Sequence, residues 1–473
     1  MSRQPRAFER TGLLYRCGLM REILLHDTRT GMVRPIEPRD PGPPPRVGIY
    51  ACGPTVYGRV HVGNARPFVV FSLLKRFLVH EGYDVDFVAN ITDVNDKIYD
   101  AAHAAGIGSA ELAREMSGRY VADTDRLDLG RPDHEPLASE TIGPIVSLIE
   151  ELVAGGHAYA AGGDVYFSVR SYPAYGELSH RNVDDMDQGE GVEGAALKRD
   201  PLDFALWKAA KEGEDTAWDS PWGRGRPGWH IECSAMAEAL LGVDFEIHGG
   251  GVDLIFPHHE NEAAQTGAAH GEPLARLWVH NGMIRLDQEK MSKSLGNIFL
   301  LGNALDAYGR DALVMYFLGG HYRQPIEFDE ARLEEATARL ARIRDAGRRL
   351  TPGDSPEWSA RIKERFFAAL ANDFNTPKAL AAVAAWVTEA FKHPAGTVGD
   401  ADLREMLGVF ALDNVLDAEA PAPEAAVELL HAREAARAER DFATADRIRG
   451  ELGDLGWEVR DGPDGPELIP RER

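Results

Sequence analysis

The spacing of apolar positions changes several times along the chain, and the changes mark out its elements. Residues 1–20 have no clear periodicity, and PRDPGPPPR, 38–46, is a turn-rich connector. The apolar run VGIYA, 47–51, predicts a buried strand. It leads into CGPTVYGRVHVGNARP. Beyond that, Val70, Leu73, Leu74, Phe77 and Leu78 share one side at helical spacing. Pro67 is placed in the first turn of that helix, where its missing N–H costs little. DVDFVANIT, 84–92, predicts the next strand, so the order strand–helix–strand predicts a right-handed parallel unit.

Residues 143–225 break the alternation with a short helix at 145–152, strand-like residues at 164–169 and many Gly and Pro turns, which read as an insertion. The alternation resumes with a helix at 231–241 and a strand at 244–248 ending in Gly249, Gly250 and Gly251. A further strand, 277–284, leads into a polar loop. Residues 329–350 predict a charged helix with Leu333, Ala336, Leu340 and Ile343 on one side. Ala-rich helix continues to about 416, DAEAPAP at 417–423 reads as a linker, 424–452 as one more helix, and 453–473 as a turn-and-strand tail. No internal repeat is visible.

Composition bounds this picture without redirecting it. A chain of 473 residues is too long for one core, so roughly two to four domains are expected. No apolar run approaches the ~18 residues that span a bilayer, and the opening residues do not look like a secretory signal. Cys17, Cys52 and Cys233 are too few for a disulfide framework and point to a reducing, cytoplasmic setting. The net charge of −24 weighs against a nucleic-acid partner, although a local basic strip can still hold phosphates.

Three groups of residues carry chemistry. His61-Val62-Gly63-Asn64 stands between a strand and a helix, where free N–H groups and a partial positive charge can hold phosphate. His61 can donate to a phosphate oxygen as charge develops. The ordinary reading is a capped helix with an incidental His. Lys290-Met291-Ser292-Lys293-Ser294 offers two lysines in a polar loop that can clamp a leaving pyrophosphate; the ordinary reading is a solvated basic loop. Together, in this order and with this gap, the two motifs closely resemble those of class I aminoacyl-tRNA synthetases. Third, Cys52, Cys233, His258 and Glu262 could form a tetrahedral zinc site, with His258 and Glu262 one helical turn apart. Spacing leaves this open: free Cys is often simply buried, and His259 or Glu260 could equally be the ligand.

Longer segments resemble the cysteinyl-tRNA synthetases in particular. They are YACGPTVYGRVHVGNAR, NITDVNDKI, ALWKAAKEGEDTAWDSPWGRGRPGWHIECSAM, IHGGGVDLIFPHHENEAAQ and KMSKSLGN, and the similarity runs from about residue 24 to about 459. The resemblance implies that Cys52, Cys233, His258 and Glu262 bind one zinc ion. It also implies that Cys52, Gly53, Thr92, Trp229, His248 and Asp253 line a cysteine pocket. Pro54, Thr55, His61, Gly63, Asn64, Lys290 and Lys293 would hold ATP with its Mg2+, with His61, Lys290 and Lys293 catalytic. The partners implied are tRNA(Cys), ATP and L-cysteine, with no membrane; a monomer is expected.

The implied architecture is α/β, a Rossmann-like parallel-sheet catalytic domain with an insertion, followed by a helical bundle and a small anticodon-binding domain. Its boundaries are an N-terminal extension at 1–20, the first catalytic half at 21–142 and the connective insertion at 143–225. The second catalytic half with the KMSKS loop follows at 226–310, then a stem-contact region at 311–350, the bundle at 351–416 and the anticodon domain at 424–473. Three departures are visible. Asn64 stands where many class I enzymes have a second His, Asn95 replaces a usual carboxylate, and the tail lacks the usual Thr-Trp pair. Residues 1–20 precede the usual family start, with Met20 a candidate initiator. One alternative is a ligase that transfers activated cysteine to an amino sugar. Another is a non-catalytic tRNA-binding relative, against which the intact His61, Lys290 and Lys293 argue.

Overall fold

The computed structural model describes residues 20–186, 196–285, 299–417, 422–462 and 465–470. At its centre is a four-stranded sheet made of β1 (Arg46–Ala51), β2 (Asp84–Ala89), β3 (Phe245–Gly251) and β4 (Ala275–Asn281). The order is β4-β3-β1-β2, and every adjacent pair is parallel. Helix α1 (Val62–His80) joins β1 to β2, α2 (Trp229–Leu241) precedes β3, and α3 (Glu260–His270) joins β3 to β4. Val47, Ile49 and Ala51 pack in the cluster that holds Phe71, Leu74 and Leu78 of α1. Tyr50 joins Met236 and Ala237 of α2 in a second cluster. Both faces of β1 are therefore covered, which is why it reads as an unbroken apolar run. The chain leaves β1 towards β2 on one side, while β3 pairs on the other. The strand order thus reverses at the carboxyl ends of β1 and β3, where open α/β sheets bind ligands.

The insertion forms its own antiparallel sheet, ordered Ala158–Ala161, Asp164–Phe167, Phe204–Ala209, Gly225–Pro227. Helix Ile142–Ala154 covers it through Ile145, Leu148, Ile149 and Leu152, in a cluster that also takes in Ile231 and Ala235 of α2. The insertion is therefore packed against the helix that carries Cys233.

Four sequence expectations need correction. Helix α1 starts at Val62, so Pro67 lies inside it. The His61 ring starts the helix early by accepting from the Asn64 N–H at 3.2 Å, and the Asn64 side chain accepts from the His61 N–H at 3.4 Å. Pro67 then forgoes the bond an N–H would give to the Gly63 carbonyl. Strand β2 ends at Ala89 because Asn90 turns its Oδ1 to the Gly53 N–H, 2.9 Å away. Strand β4 ends at Asn281, and Ile284–Arg285 pairs with Ile326–Glu327 instead. The single helix expected at 424–452 is two, Glu424–Ala438 and Phe442–Asp454. Arg440 turns left-handed between them (φ 61°), and Asp441 caps the second by accepting from the Thr444 N–H at 3.1 Å. Ala, Arg and Glu suit a helix on either side of that turn, so composition hides the break.

The helical region, with Glu330–Gly347, Glu357–Ala371, Thr376–Ala390 and Ala401–Val409, packs on the end of α1. His80 stacks on Phe367 with centroids 4.4 Å apart, and its ring nitrogens lie 3.0 Å from Glu405 and 3.2 Å from Glu81. Burial alone would lower its pKa, but the two carboxylates outweigh it and lift it to about 9. Its contribution to stability is present in full below the unfolded value of roughly 6.5 and is lost as pH rises through about 9. The urea midpoint should fall between those pH values, and His80→Gln should flatten that fall. An unchanged slope in the variant would remove His80 as its source. Among the described residues no helix is long and apolar enough to cross a membrane.

Candidate functional site

Cys52 directly follows β1, and its N–H donates to the Gly249 carbonyl of β3 at 3.0 Å, fixing it at the crevice between the two strands. The next residue has to be glycine, because a Cβ on Gly53 would sit 1.7 Å from the Asn90 carbonyl oxygen. Cys233 lies in the second turn of α2. His258 lies just ahead of α3, after a kink where the backbone of Phe256 is extended, and Glu262 lies in the first turn of α3. One donor atom from each of Cys52, Cys233, His258 and Glu262 lies within 4.8 Å of the others, and all four residues are buried. The His258 Nε2 is 3.6 Å from the Cys52 Sγ and 3.1 Å from a Glu262 oxygen.

A ring of histidines surrounds these donors. His230 and His258 meet through their Nδ1 atoms at 2.9 Å, which turns the Nε2 of His258 towards the cluster. Trp229 stacks on His258 at 4.3 Å. His248, from β3, reaches the other Glu262 oxygen at 2.9 Å. His259 meets His280 at 2.7 Å, and His280 meets the Thr28 hydroxyl at 2.7 Å. The sequence alternatives now separate. Glu260 turns away and accepts from the N–H groups of Gly176 and Ser179 in the insertion, at 2.8 and 2.7 Å. His259 faces the cluster, and its Nε2 has no hydrogen-bond partner among the described residues. Cys52, His248, His259 and Glu262 also bring donor atoms within 4.8 Å, as an overlapping second set.

The electrostatics favour a cation. Burial pushes the Cys52 thiol well up, and Cys233 and Glu262 push the same way. Hydrogen bonding to Cys52 pulls Cys233 down, but burial and Glu262 outweigh it and its thiol is also raised. Burial, then His230 and His248, hold His258 well below the ordinary imidazole value, so it is neutral. Thiols that resist ionisation in a sealed site, beside a neutral imidazole and a carboxylate, are stabilised as thiolates by a bound divalent metal. Two sulfurs, one nitrogen and one oxygen suit zinc.

The remaining predicted residues lie on nearby parts of the chain or outside the described residues. Thr92 is buried, its N–H donates to the Pro54 carbonyl at 3.2 Å, and it bridges Thr55. Asp253 is exposed, just past the end of β3. His61, Gly63 and Asn64 form the start of α1. The cap makes the His61 Nδ1 an acceptor, so Nε2 carries the proton, and burial lowers its pKa and keeps the ring neutral. A Cβ on Gly63 would lie 2.9 Å from that Nδ1, so glycine leaves room for the ring. Lys290 and Lys293 lie outside the described residues. Sequence reasoning missed His230, His280 and Asn90. Only the histidines left a signal: His230 directly follows Trp229, and His280 lies within the predicted strand 277–284.

Residues 39–338 match the family model described as the tRNA synthetases class I (C) catalytic domain. Residues 420–466 match that of the cysteinyl-tRNA ligase anticodon binding domain. The cysteine–tRNA ligase of Pelotomaculum thermopropionicum is 44% identical over 479 residues, spanning 93% of this chain and 98% of its own. That of Halorhodospira halophila is 45% identical over 460 residues, spanning 94% and 98%. Among solved structures, Mycobacterium tuberculosis methionyl-tRNA synthetase in complex with methionyl-adenylate has a TM-score of 0.57 at 17% identity. It covers 78% of this chain and 89% of its own, a likeness of fold.

Proposed function

The chain belongs to the cysteine–tRNA ligase family of class I synthetases, and we propose that its buried Cys52–Cys233–His258–Glu262 cluster is the zinc site by which it selects cysteine. The observation that carries this is the convergence of two sulfurs, a nitrogen and a carboxylate oxygen within 4.8 Å at the strand-order reversal. Bound zinc would supply a soft acceptor for the substrate thiolate. Gly53, Thr92, Trp229, His248 and Asp253 would then frame the amino acid.

The reaction has two steps. The cysteine carboxylate attacks the α-phosphorus of Mg·ATP, giving cysteinyl-adenylate and pyrophosphate; the terminal ribose hydroxyl of tRNA(Cys) then attacks the acyl carbon. In this reading Pro54, Thr55, Gly63 and Asn64 border the nucleotide. His61 donates its Nε2–H to the phosphates, and Lys290 and Lys293 hold the leaving pyrophosphate. The protein supplies mainly position and charge stabilisation. We place the enzyme in the cytoplasm as a monomer, and keep the domain limits expected from the sequence, with the anticodon module as two helices and a strand pair. The match of 420–466 to an anticodon-binding domain supports tRNA as acceptor, and no observation favours an amino sugar.

Serine offers a hard hydroxyl where cysteine offers a soft thiol, so it should be rejected at activation. Pyrophosphate exchange measured with each amino acid tests this. Rates within about tenfold of each other, ~1.4 kcal/mol, would count against zinc as the selector.

A further inference from the structure

Residues 60–62 and 299–301 are joined side by side. The Val62 N–H donates to the Phe299 carbonyl at 2.9 Å, the Leu301 N–H donates to the Val60 carbonyl at 3.0 Å, and His61 and Leu300 form an antiparallel bridge. This sets Phe299, the residue that follows segment 286–298, against the start of α1. Its ring stacks on the His61 imidazole with centroids 4.4 Å apart and 20° between the planes. His61 thus has two different restraints. The Asn64 N–H on Nδ1 decides which edge of the ring faces the backbone. A ring held at one edge can still tilt about that hydrogen bond, and the flat face of Phe299 opposes the tilt.

We infer that Phe299 is a positioning residue for adenylate formation: it holds the plane of His61 so that the Nε2–H points into the nucleotide site. Phe299 acts through His61, not on the reacting atoms. The inference rests on the reading of His61 as a phosphate donor.

A double-mutant cycle tests it in the full-length enzyme. His61→Asn keeps a side-chain acceptor at the N-cap but loses the ring. Phe299→Leu keeps apolar volume but loses the flat face, and Phe299→Tyr keeps the face. Phe299→Leu should lower kcat for cysteine-dependent exchange by about tenfold or more, and Phe299→Tyr should stay within about twofold of the parent. Equilibrium cysteine binding and the thermal midpoint should not move. In the His61→Asn background, Phe299→Leu should change kcat by less than about threefold, because its route of action is gone. Independent, multiplying effects of the two substitutions would overturn the inference, as would a loss in Phe299→Leu matched by a fall in the thermal midpoint. Parent-like exchange in His61→Asn would remove both His61 and Phe299 from the step, while the family reading would stand on the exchange activity itself.

Discussion

Cys233→Ala should leave the protein folded, strip most of its zinc and weaken cysteine binding with it. The thiol is 1% exposed, and its loss leaves three donors around the site. Disturbing even a partner of a metal ligand costs about 10–100-fold in affinity, and a lost ligand should cost at least the upper end of that range. The most discriminating comparison uses two carboxylates on one helix. Glu262 faces the cluster, whereas Glu260 holds Gly176 and Ser179 of the insertion. Glu262→Gln should lower zinc content and the preference for cysteine over serine together. Glu260→Gln should keep its zinc and lose only thermal stability. Metal analysis with exchange kinetics on the same preparations reads both. Full cysteine-dependent exchange in demonstrably metal-free protein would remove the metal from the reading.

Deleting residues 417–473 should separate the two steps of the reaction. The small core of that region, Ala426, Ile448, Leu452 and Val459, forms its own cluster. The main core reaches Leu416 and does not draw on it. The truncated enzyme should therefore fold, and its exchange activity should stay within about twofold, because activation proceeds without tRNA. Charging of tRNA should fall by at least about a hundredfold in kcat/KM, the equivalent of roughly 2.7 kcal/mol of binding free energy. With fewer basic side chains left to neutralise tRNA phosphates, the salt dependence of tRNA binding should also flatten. Unchanged charging would make the segment a structural cap instead.

How far the sequence can be read follows the range of the interactions involved. Strand β1 is legible because both its faces are buried and its apolar run is continuous. Helix α1 is legible from Val70 to Leu78, where the stripe faces the sheet. Its start is misjudged because His61 caps it with a ring nitrogen, a role more often filled by Ser, Thr, Asp or Asn. Cys52, Cys233, His258 and Glu262 can be nominated from residue type and family likeness, and the structure gathers them. Periodicity cannot choose between Glu260 and Glu262. That choice depends on the kink at Phe256 just ahead of α3 and on the insertion that claims Glu260. Arg440 is invisible for a related reason: its left-handed backbone leaves no mark in an Ala- and Arg-rich stretch.

The placement of the insertion also has a temporal consequence. Cys52 is translated long before Cys233, His258 and Glu262, and the whole antiparallel sheet of the insertion emerges between them. A ribosome-bound chain therefore displays a lone thiol at the end of β1 until β3 docks beside it and α3 follows. A site with all four donors can form only once Glu262 has emerged and β3 has docked beside β1, while the helical region and the C-terminal module are still to be made. Zinc capture, timed against chain length on stalled ribosomes, should mark the moment when the catalytic domain closes.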